Sequence, residues 1–464
     1  MNGNVGNPSL QSKTGNVGET NFTYLGEELG HFVAMTSWEA LNEQVRHQAK
    51  RCVLNHIGCS IAARDAIDVD RVCRVMGQFG AVETATIVGR PESADAPTAA
   101  FMNAMTANFF DFDDTHASTV IHPTAPVLAS ALAIGEMTGA SGAETVHAFI
   151  LGAEVACRIG MAVSPTHYAR GWHITSTCGV FGAAVAAAKI LGLNAQQTWN
   201  ALGIAASQSA GSIENLTYFP KNVSVGNAAR NGLLSALLAK EGCEAAPAAI
   251  EGRFGWARIM GDDIRVSEAT IGLGQNWELL NNTFKPYPTG VVFHSAIDAS
   301  LSLHGQINVP EAVTEIVLLG HQLLADRGDR IVLTPADARV SAQHCIASSL
   351  VRGSCTLNEF NDAALADPMI SAMREKIRVK VDSDVPLGAA VLRVSLTDGR
   401  QLEVRRDVAH GSLDQPWSDG DLEEKFVRNC EFSAWDPGDL PSKIWNIDRQ
   451  SDIAVLLRSC RPDC

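Results

Sequence analysis

None of the eleven cysteines forms a Cys-x-x-Cys pair. That absence removes the usual zinc and iron–sulfur spacings, and a scattered, odd count gives no disulfide framework. No His-Glu-x-x-His motif occurs, and no self-similarity at solenoid length. Basic clusters are missing too. The net charge is -15, and phosphate backbones or anionic membrane surfaces need clustered Lys and Arg, so nucleic acid and membrane are not expected partners. A net negative chain can still hold a locally positive pocket for a small anion. The first twenty residues have neither a basic start nor an apolar stretch of signal-peptide type. They repeat Gly-Asn-Val-Gly and read as a flexible tail over 1–20. Charged residues are only 19% and hydrophobic residues 46% of the 464, which supplies a sizeable core and rules out global disorder. The most membrane-like window, Ile174 to Leu193, carries Gly, small polar residues and Lys189, and reads as a buried helix. The compartment expected from these features is the cytoplasm.

What is present divides in two. From Leu25 to Ile259 apolar residues recur at three- and four-residue spacing, with breaks at Gly or Pro. The pattern predicts one long helix over Trp38–Arg64, others over Thr98–Phe110 and Thr124–Thr138, and a stop at Gly192–Asn194. Abundant Ala and Gly predict thin, closely packed helices. After Gly272 strand-like runs appear at Thr314–Gly320 and Lys376–Asp382, and Val391–Arg406 alternates around Asp398-Gly399 as a hairpin. Helices are expected between them at Ala342–Val351 and Asn358–Ala366, then at Asp421–Cys430 and Asp452–Cys460. The fold class is therefore mainly α with a smaller α+β domain. The expected organisation is a tail (1–20), an all-helical bundle (21–270), an inserted α+β unit (271–408) and a segment returning to the bundle (409–464).

Five stretches concentrate chemistry. Asp111 to Pro126 reads DFDDTHASTVIHPTAP, with Asp111, Asp113, Asp114, Thr115, His116 and His122 between apolar flanks. Gly171 to Thr177 reads GWHITST, with His173 and Thr175. Lys221 lies in FPKNVSVGNAARNG, Lys285, Tyr287 and His294 in KPYPTGVVFH, and His344 in SAQHCIASSL. Each has a plain alternative. Asp and Thr cap helices, a lone His is usually a satisfied core residue, a Lys is usually solvated, and KPYP is a turn by composition. Taken together the alternatives weaken, because five of the 13 histidines fall in these segments. A metal hydrolase using Asp113, Asp114, His116 and His122 is a rival, as is a helical protein that binds a carboxylate without turning it over.

DFDDTH…HPT, GWHITSTCGVFGAAVAAAKILGL, the Lys221 stretch, KPYP…H and the TDGR hairpin, collinear from about Leu25 to Phe426, resemble the MmgE/PrpD family. That family includes 2-methylcitrate dehydratases, cis-aconitate decarboxylases and an iminodisuccinate epimerase. The resemblance implies a helical domain with an α+β lid, a homodimer, and no cofactor or metal. It implies a pocket made of Asp111, Thr115, His122, His173, Lys221, Lys285 and His294. His344 stands where decarboxylase-like members often carry Tyr. The shared chemical problem is loss of a proton or CO2 beside a carboxylate, which needs preorganised cations and hydrogen-bond donors. Lys221 and Lys285 fit as clamps, with Thr115 and Thr175 as neutral donors and Tyr287 on the wall. His122 and His173 fit as an acid–base pair, with Asp111 orienting one of them and Lys221 as an alternative base. The expected activity is a hydro-lyase on a small hydroxy di- or tricarboxylate, with an epimerase or decarboxylase as the alternative.

Overall fold

The computed structural model describes residues 22–79, 82–307 and 309–462; the tail expected at 1–20 lies outside them. The molecule is mainly α with a smaller α+β part. In the helical body, α1 (Leu25–Met35) leads to a single 3-10 turn at Trp38–Ala40 and then to α2 (Glu43–Ala63). Trp38–Arg64 is thus not one helix. Asn42 has extended backbone and its side chain accepts from Val45 N at 2.9 Å, an N-cap that starts α2 afresh. After a helix at Ile67–Met76 come α3 (Ala96–Ala107), capped by Asp95, and α4 (Thr124–Thr138), ended by Gly139 at φ 71. Then follow α5 (Gly142–Val163), α6 (Ile174–Ile190), α7 (Ala195–Ala206) and α8 (Pro220–Lys240). α5 is long and apolar enough to cross a membrane, yet 94% of that window is buried in the bundle.

The small residues set how closely these helices approach. A Cβ on Gly152 of α5 would overlap the Gly182 carbonyl of α6, and one on Gly182 would lie 2.6 Å from the Gly152 carbonyl and 2.9 Å from Ala156 Cβ. The backbones themselves are in contact there, and neither helix can shift alone because α4 presses Val127 against the same spot. Gly182→Ala is expected to cost about 1–3 kcal/mol by overpacking. A denaturation midpoint equal to that of the unaltered protein would show that the contact can relax.

The α+β unit has its own core, beginning at Phe293. Its sheet contains β1 (Val313–Gly320), β2 (Ile377–Val381), β3 (Ala390–Leu396) and β4 (Gln401–Arg406), in the order β2-β1-β3-β4. β1 and β2 are parallel, with Ile316 opposite Ile377; the other pairs are antiparallel. The hairpin turns at Asp398-Gly399, where Gly399 adopts φ 87. Helices α9 (His294–His304) and α10 (Ala342–Arg352) supply Ile297, Leu303, Ile346 and Leu350 to the same core. The helix expected over Asn358–Ala366 is broken into a 3-10 turn at Leu357–Glu359 and a helix at Asp362–Ala366, because Asn361 caps the second piece.

Trp277, Leu279 and Phe284 lie beyond residue 270 but belong to the helical core, so the change of core falls between Phe284 and Phe293. The chain then returns. Leu422 and Phe426 of α11 (Asp419–Phe432) bury beside α2, with Phe426 packed on Gly58, and Leu440, Ile444, Ile453 and Leu456 follow them into the same core.

Candidate active site

Between the helical body and the α+β unit lies a cavity of about 640 Å³. At its centre is Asp111, in the turn that follows α3. Asp111 has φ 55, a left-handed conformation that Asp and Asn tolerate better than other side chains. Its carboxylate is gripped from two directions. Lys221 Nζ, at the start of α8, donates to Oδ1 at 2.7 Å, and Lys285 Nζ donates to Oδ2 at 3.0 Å and to the Asp111 carbonyl at 2.9 Å. Both lysines are under 5% exposed. Burial works to raise the carboxyl pKa, but the two ammonium ions and His122 outweigh it and hold Asp111 well below the usual carboxylate range.

Two short pairings bring these groups together. Thr115–His116 pairs with Asn282–Thr283 as a two-residue ladder, and Thr283 Oγ1 donates to the Thr115 carbonyl at 2.8 Å. This places Lys285 beside the Asp-rich loop. Asn222 Nδ2 donates to the Asn108 carbonyl at 2.9 Å and fixes α8 against the end of α3. The loop also contains Val120 at φ 56, on the cavity wall. A β-branched residue there is strained, and such strain concentrates at functional sites.

The two imidazoles are oriented from behind. His122 Nδ1 sits 2.7 Å from the Asp114 carbonyl, which can only accept, so Nδ1 carries the proton in the neutral ring. Thr175 Oγ1 accepts from His122 N at 3.1 Å. That leaves Nε2 unprotonated, 3.8 Å from Asp111 Oδ1. His173 precedes α6. Its Nδ1 lies 3.3 Å from Ser176 Oγ and 3.5 Å from Ser224 Oγ. Both hydroxyls already donate to carbonyls, of His173 and Lys221 respectively, so they accept from Nδ1 and again leave Nε2 bare. Burial pushes both histidines below their ordinary value. For His173 the Lys221 ammonium adds to the push, and for His122 Lys285 does so against the opposing Asp113. The site therefore holds two neutral imidazoles, each with a free Nε2, beside two ammonium ions.

Comparison with known proteins follows the same division of the chain. The MmgE/PrpD N-terminal domain matches residues 27–268 and the MmgE/PrpD C-terminal domain residues 287–436. The chain belongs to the MmgE/PrpD family. Among its relatives are the cis-aconitate decarboxylases of Mus musculus and Homo sapiens. The mouse protein is 27% identical over 420 residues, covering 84% of this chain and 83% of its own. The human protein is 26% identical over 439 residues, covering 90% of each. The cis-aconitate decarboxylase-like protein oryM of Aspergillus oryzae is 25% identical over 466 residues, covering 93% of this chain and 96% of its own.

Of the residues singled out in this MmgE/PrpD chain, Asp111, Thr115, His122, His173, Lys221 and Lys285 line the cavity. Thr175 stands behind it and acts on His122. The others need correction. His294 lies behind Lys285, its pKa driven down to about 3 by burial and by that lysine. Tyr287 packs edge-on against His294 and donates its hydroxyl to Asp298 at 2.6 Å, away from the cavity. His344 is fully buried inside the α+β unit, with Nε2 at 2.7 Å from the Glu359 carbonyl and its ring near Phe360. With these partners inside the unit, His344 is a core histidine.

Most ligand atoms of the metal rival are engaged by structural partners. Asp113 accepts from Asn108, and Asp114 accepts from Thr124 and Asn282. His116 has one nitrogen on Thr119 and the other on Glu278. Asp111, Asp113 and His122 do lie close enough to share an ion, but both Asp111 oxygens already hold ammonium groups, which would repel a dication. Burial and Asp113 raise the Asp114 carboxyl to about 6, consistent with a structural rather than a ligating role.

Sequence reasoning missed the wall contributed by the α+β unit, where Arg327, Arg330 and Arg339 face the cavity, and also Tyr168 from the helical body. It also missed Lys425, which is buried behind Lys285.

Proposed function

We propose that the chain is a lyase acting on a small di- or tricarboxylate, and that its first reaction is decarboxylation of an unsaturated tricarboxylate. The observation that carries this reading is the pair of ammonium groups converging on one point beside two neutral imidazoles. The decarboxylase activity of the relatives supports it. His344, at the position where decarboxylase-like members often carry Tyr, lies outside the cavity and does not distinguish decarboxylation from dehydration.

The chemistry balances without a cofactor. A carboxylate on the carbon next to a double bond leaves as CO2. Its electron pair forms a new double bond, and the far carbon of the old one, next to another carboxylate, takes up a proton. The negative charge that develops on that second carboxylate is met by Lys221 and Lys285 in a dehydrated site. The proton comes from an imidazole that gains it when the polyanion binds, since added negative charge raises a depressed pKa. Dehydration of a hydroxy acid is the second reading: there a bare Nε2 removes the proton first.

The two readings predict opposite pH profiles. Both histidines are held below 6.5 in the free protein. If decarboxylation requires a protonated imidazole, kcat/KM rises as pH is lowered from 8 toward 6. If a neutral imidazole begins a dehydration, kcat/KM is flat from pH 8 down past 6.5 and falls only in more acid solution, below the depressed pKa. The decisive assay follows CO2 release and ultraviolet absorbance together over a panel of unsaturated and hydroxy polycarboxylates. Deuterium exchange at an α carbon with neither CO2 nor a change of unsaturation would overturn the lyase reading in favour of an epimerase.

A further inference from the structure

We propose that Arg339 anchors a second carboxylate of the substrate, so that the site demands an acid with at least two carboxylates spaced across the cavity. The inference deepens the carboxylate-lyase reading and rests on it. Arg339 follows the short helix Pro335–Ala338 of the α+β unit and lines the cavity. Its guanidinium lies over the Phe110 ring, 5.5 Å from the centroid, next in sequence to Asp111. Phe110 is itself braced edge-on by Phe109 and Phe432.

The cations of this cavity differ in how they are compensated. Lys221 and Lys285 share the Asp111 carboxylate. Arg330 is exposed, and its Nε donates to the Arg327 carbonyl at 2.8 Å. Asp337, the acid nearest Arg339 in sequence, spends its carboxylate on Leu333 N, Thr334 N and Thr334 Oγ1. Among the described residues Arg339 has no side-chain hydrogen bond and no ion pair. Burial lowers its pKa and Asp111 is the charge that opposes this. A half-buried guanidinium without a counter-ion is only partly solvated, and a carboxylate arriving in the cavity pairs with it. Its planar fork of donors matches a carboxylate in a bidentate manner, which an ammonium group cannot do. Arg327, the other half-buried guanidinium of this wall, likewise has no side-chain hydrogen bond or ion pair among the described residues, but it lacks the seat over Phe110, beside Asp111, that Arg339 has.

The test uses calorimetry with saturated acids that cannot react: tricarballylate, glutarate and butyrate. The unaltered protein is expected to bind the first two at least tenfold tighter than butyrate. Arg339→Gln should weaken tricarballylate and glutarate by about 10–100-fold and leave butyrate unchanged, while Arg339→Lys keeps part of the affinity. With a reacting substrate, Arg339→Gln should raise KM by a similar factor and move kcat far less. Unchanged tricarballylate affinity in Arg339→Gln, or the same loss on Arg327→Gln instead, would overturn the assignment. Binding that depends on Arg339 in a protein without lyase activity would leave the anchor standing and remove only the proposed reaction.

Discussion

Asp111→Asn is expected to lower kcat/KM by about 10²–10³, the scale of losing one preorganised donor at a developing charge. The argument begins with the backbone. Asparagine tolerates the left-handed conformation at this position, so the turn survives the change. The charge does not. One amide oxygen can still accept from Lys221 or Lys285, but the amide nitrogen then faces the other ammonium group. One lysine must move or lose its proton, and the clamp that meets the substrate carboxylate is broken. The fold suffers as well, because removing one partner of a buried ion cluster typically costs about 3–5 kcal/mol. The pH dependence has a definite sign. A carboxyl whose folded pKa is depressed contributes stability above its unfolded value, near 3.8, and loses it as pH falls through the lower folded value. The stability gap between the two proteins should therefore be constant from pH 5 to 8 and close only in strong acid. Asp111→Ala adds to this the strain of a left-handed alanine, about 1–2 kcal/mol, so it should be the less stable variant. An Asp111→Asn protein with kcat/KM within threefold of the unaltered one would remove the clamp from the mechanism.

The sequence displayed the parts of this site better than their arrangement. Helix α4 was legible at both ends, because its apolar run stops at Gly139 in a left-handed cap. The hairpin was legible because Asp398-Gly399 admits few other turns. Trp38–Arg64 was misread as continuous because Asn42 reads equally well as an interior residue until its side chain is seen on Val45 N. The six cavity residues stood out as polar groups between apolar flanks. Their convergence depends on the Thr115–Thr283 pairing and the Asn222–Asn108 bond, contacts between segments more than a hundred residues apart. Arg339 lies in an ordinary loop, and nothing local distinguishes it from a solvated arginine. Lys425 did leave a signal. Leu422, Lys425, Phe426 and Asn429 share the buried face of α11, and a lysine at helical spacing among apolar positions is a candidate for a buried cation. His344 gave the same signal and proved to be core, which shows that burial alone does not place a polar side chain in a site.

Replacing that buried lysine, Lys425→Met, is expected to lower stability by about 3–5 kcal/mol and to reduce kcat with it. Lys425 Nζ donates to Asn55 Oδ1 at 2.8 Å, to the Phe112 carbonyl at 2.6 Å and to the Lys285 carbonyl at 3.0 Å, and it stands 3.8 Å from the Phe112 ring centroid. Three protons meet three acceptors, so the ammonium form is satisfied in full. Methionine fills the space but leaves the Lys285 carbonyl without a donor and the Asn55 and Phe112 oxygens with only the weak Cys59 thiol to share, at about 1–3 kcal/mol for each acceptor left unmet before relaxation. Two of those acceptors belong to Phe112, next to Asp111, and to Lys285 itself. The lysine thus holds the carboxylate turn and one of its clamps in register, and losing it should loosen both. Burial pushes the Lys425 pKa down to about 8, with Lys285 adding to the push and Cys59, Asp113 and Asp114 opposing it. Because the unfolded chain keeps its proton to near 10.5, raising pH from 8 to 10.5 shifts this group in favour of the folded state. The neutral amine, however, has two protons for three acceptors, so kcat should fall over the window in which this group stabilises the fold. Denaturant unfolding and kcat of both proteins at pH 7, with kcat of the unaltered protein followed to pH 10, make the comparison. A Lys425→Met protein within 1 kcal/mol of the unaltered one and equally active would show that α11 holds the site by packing alone.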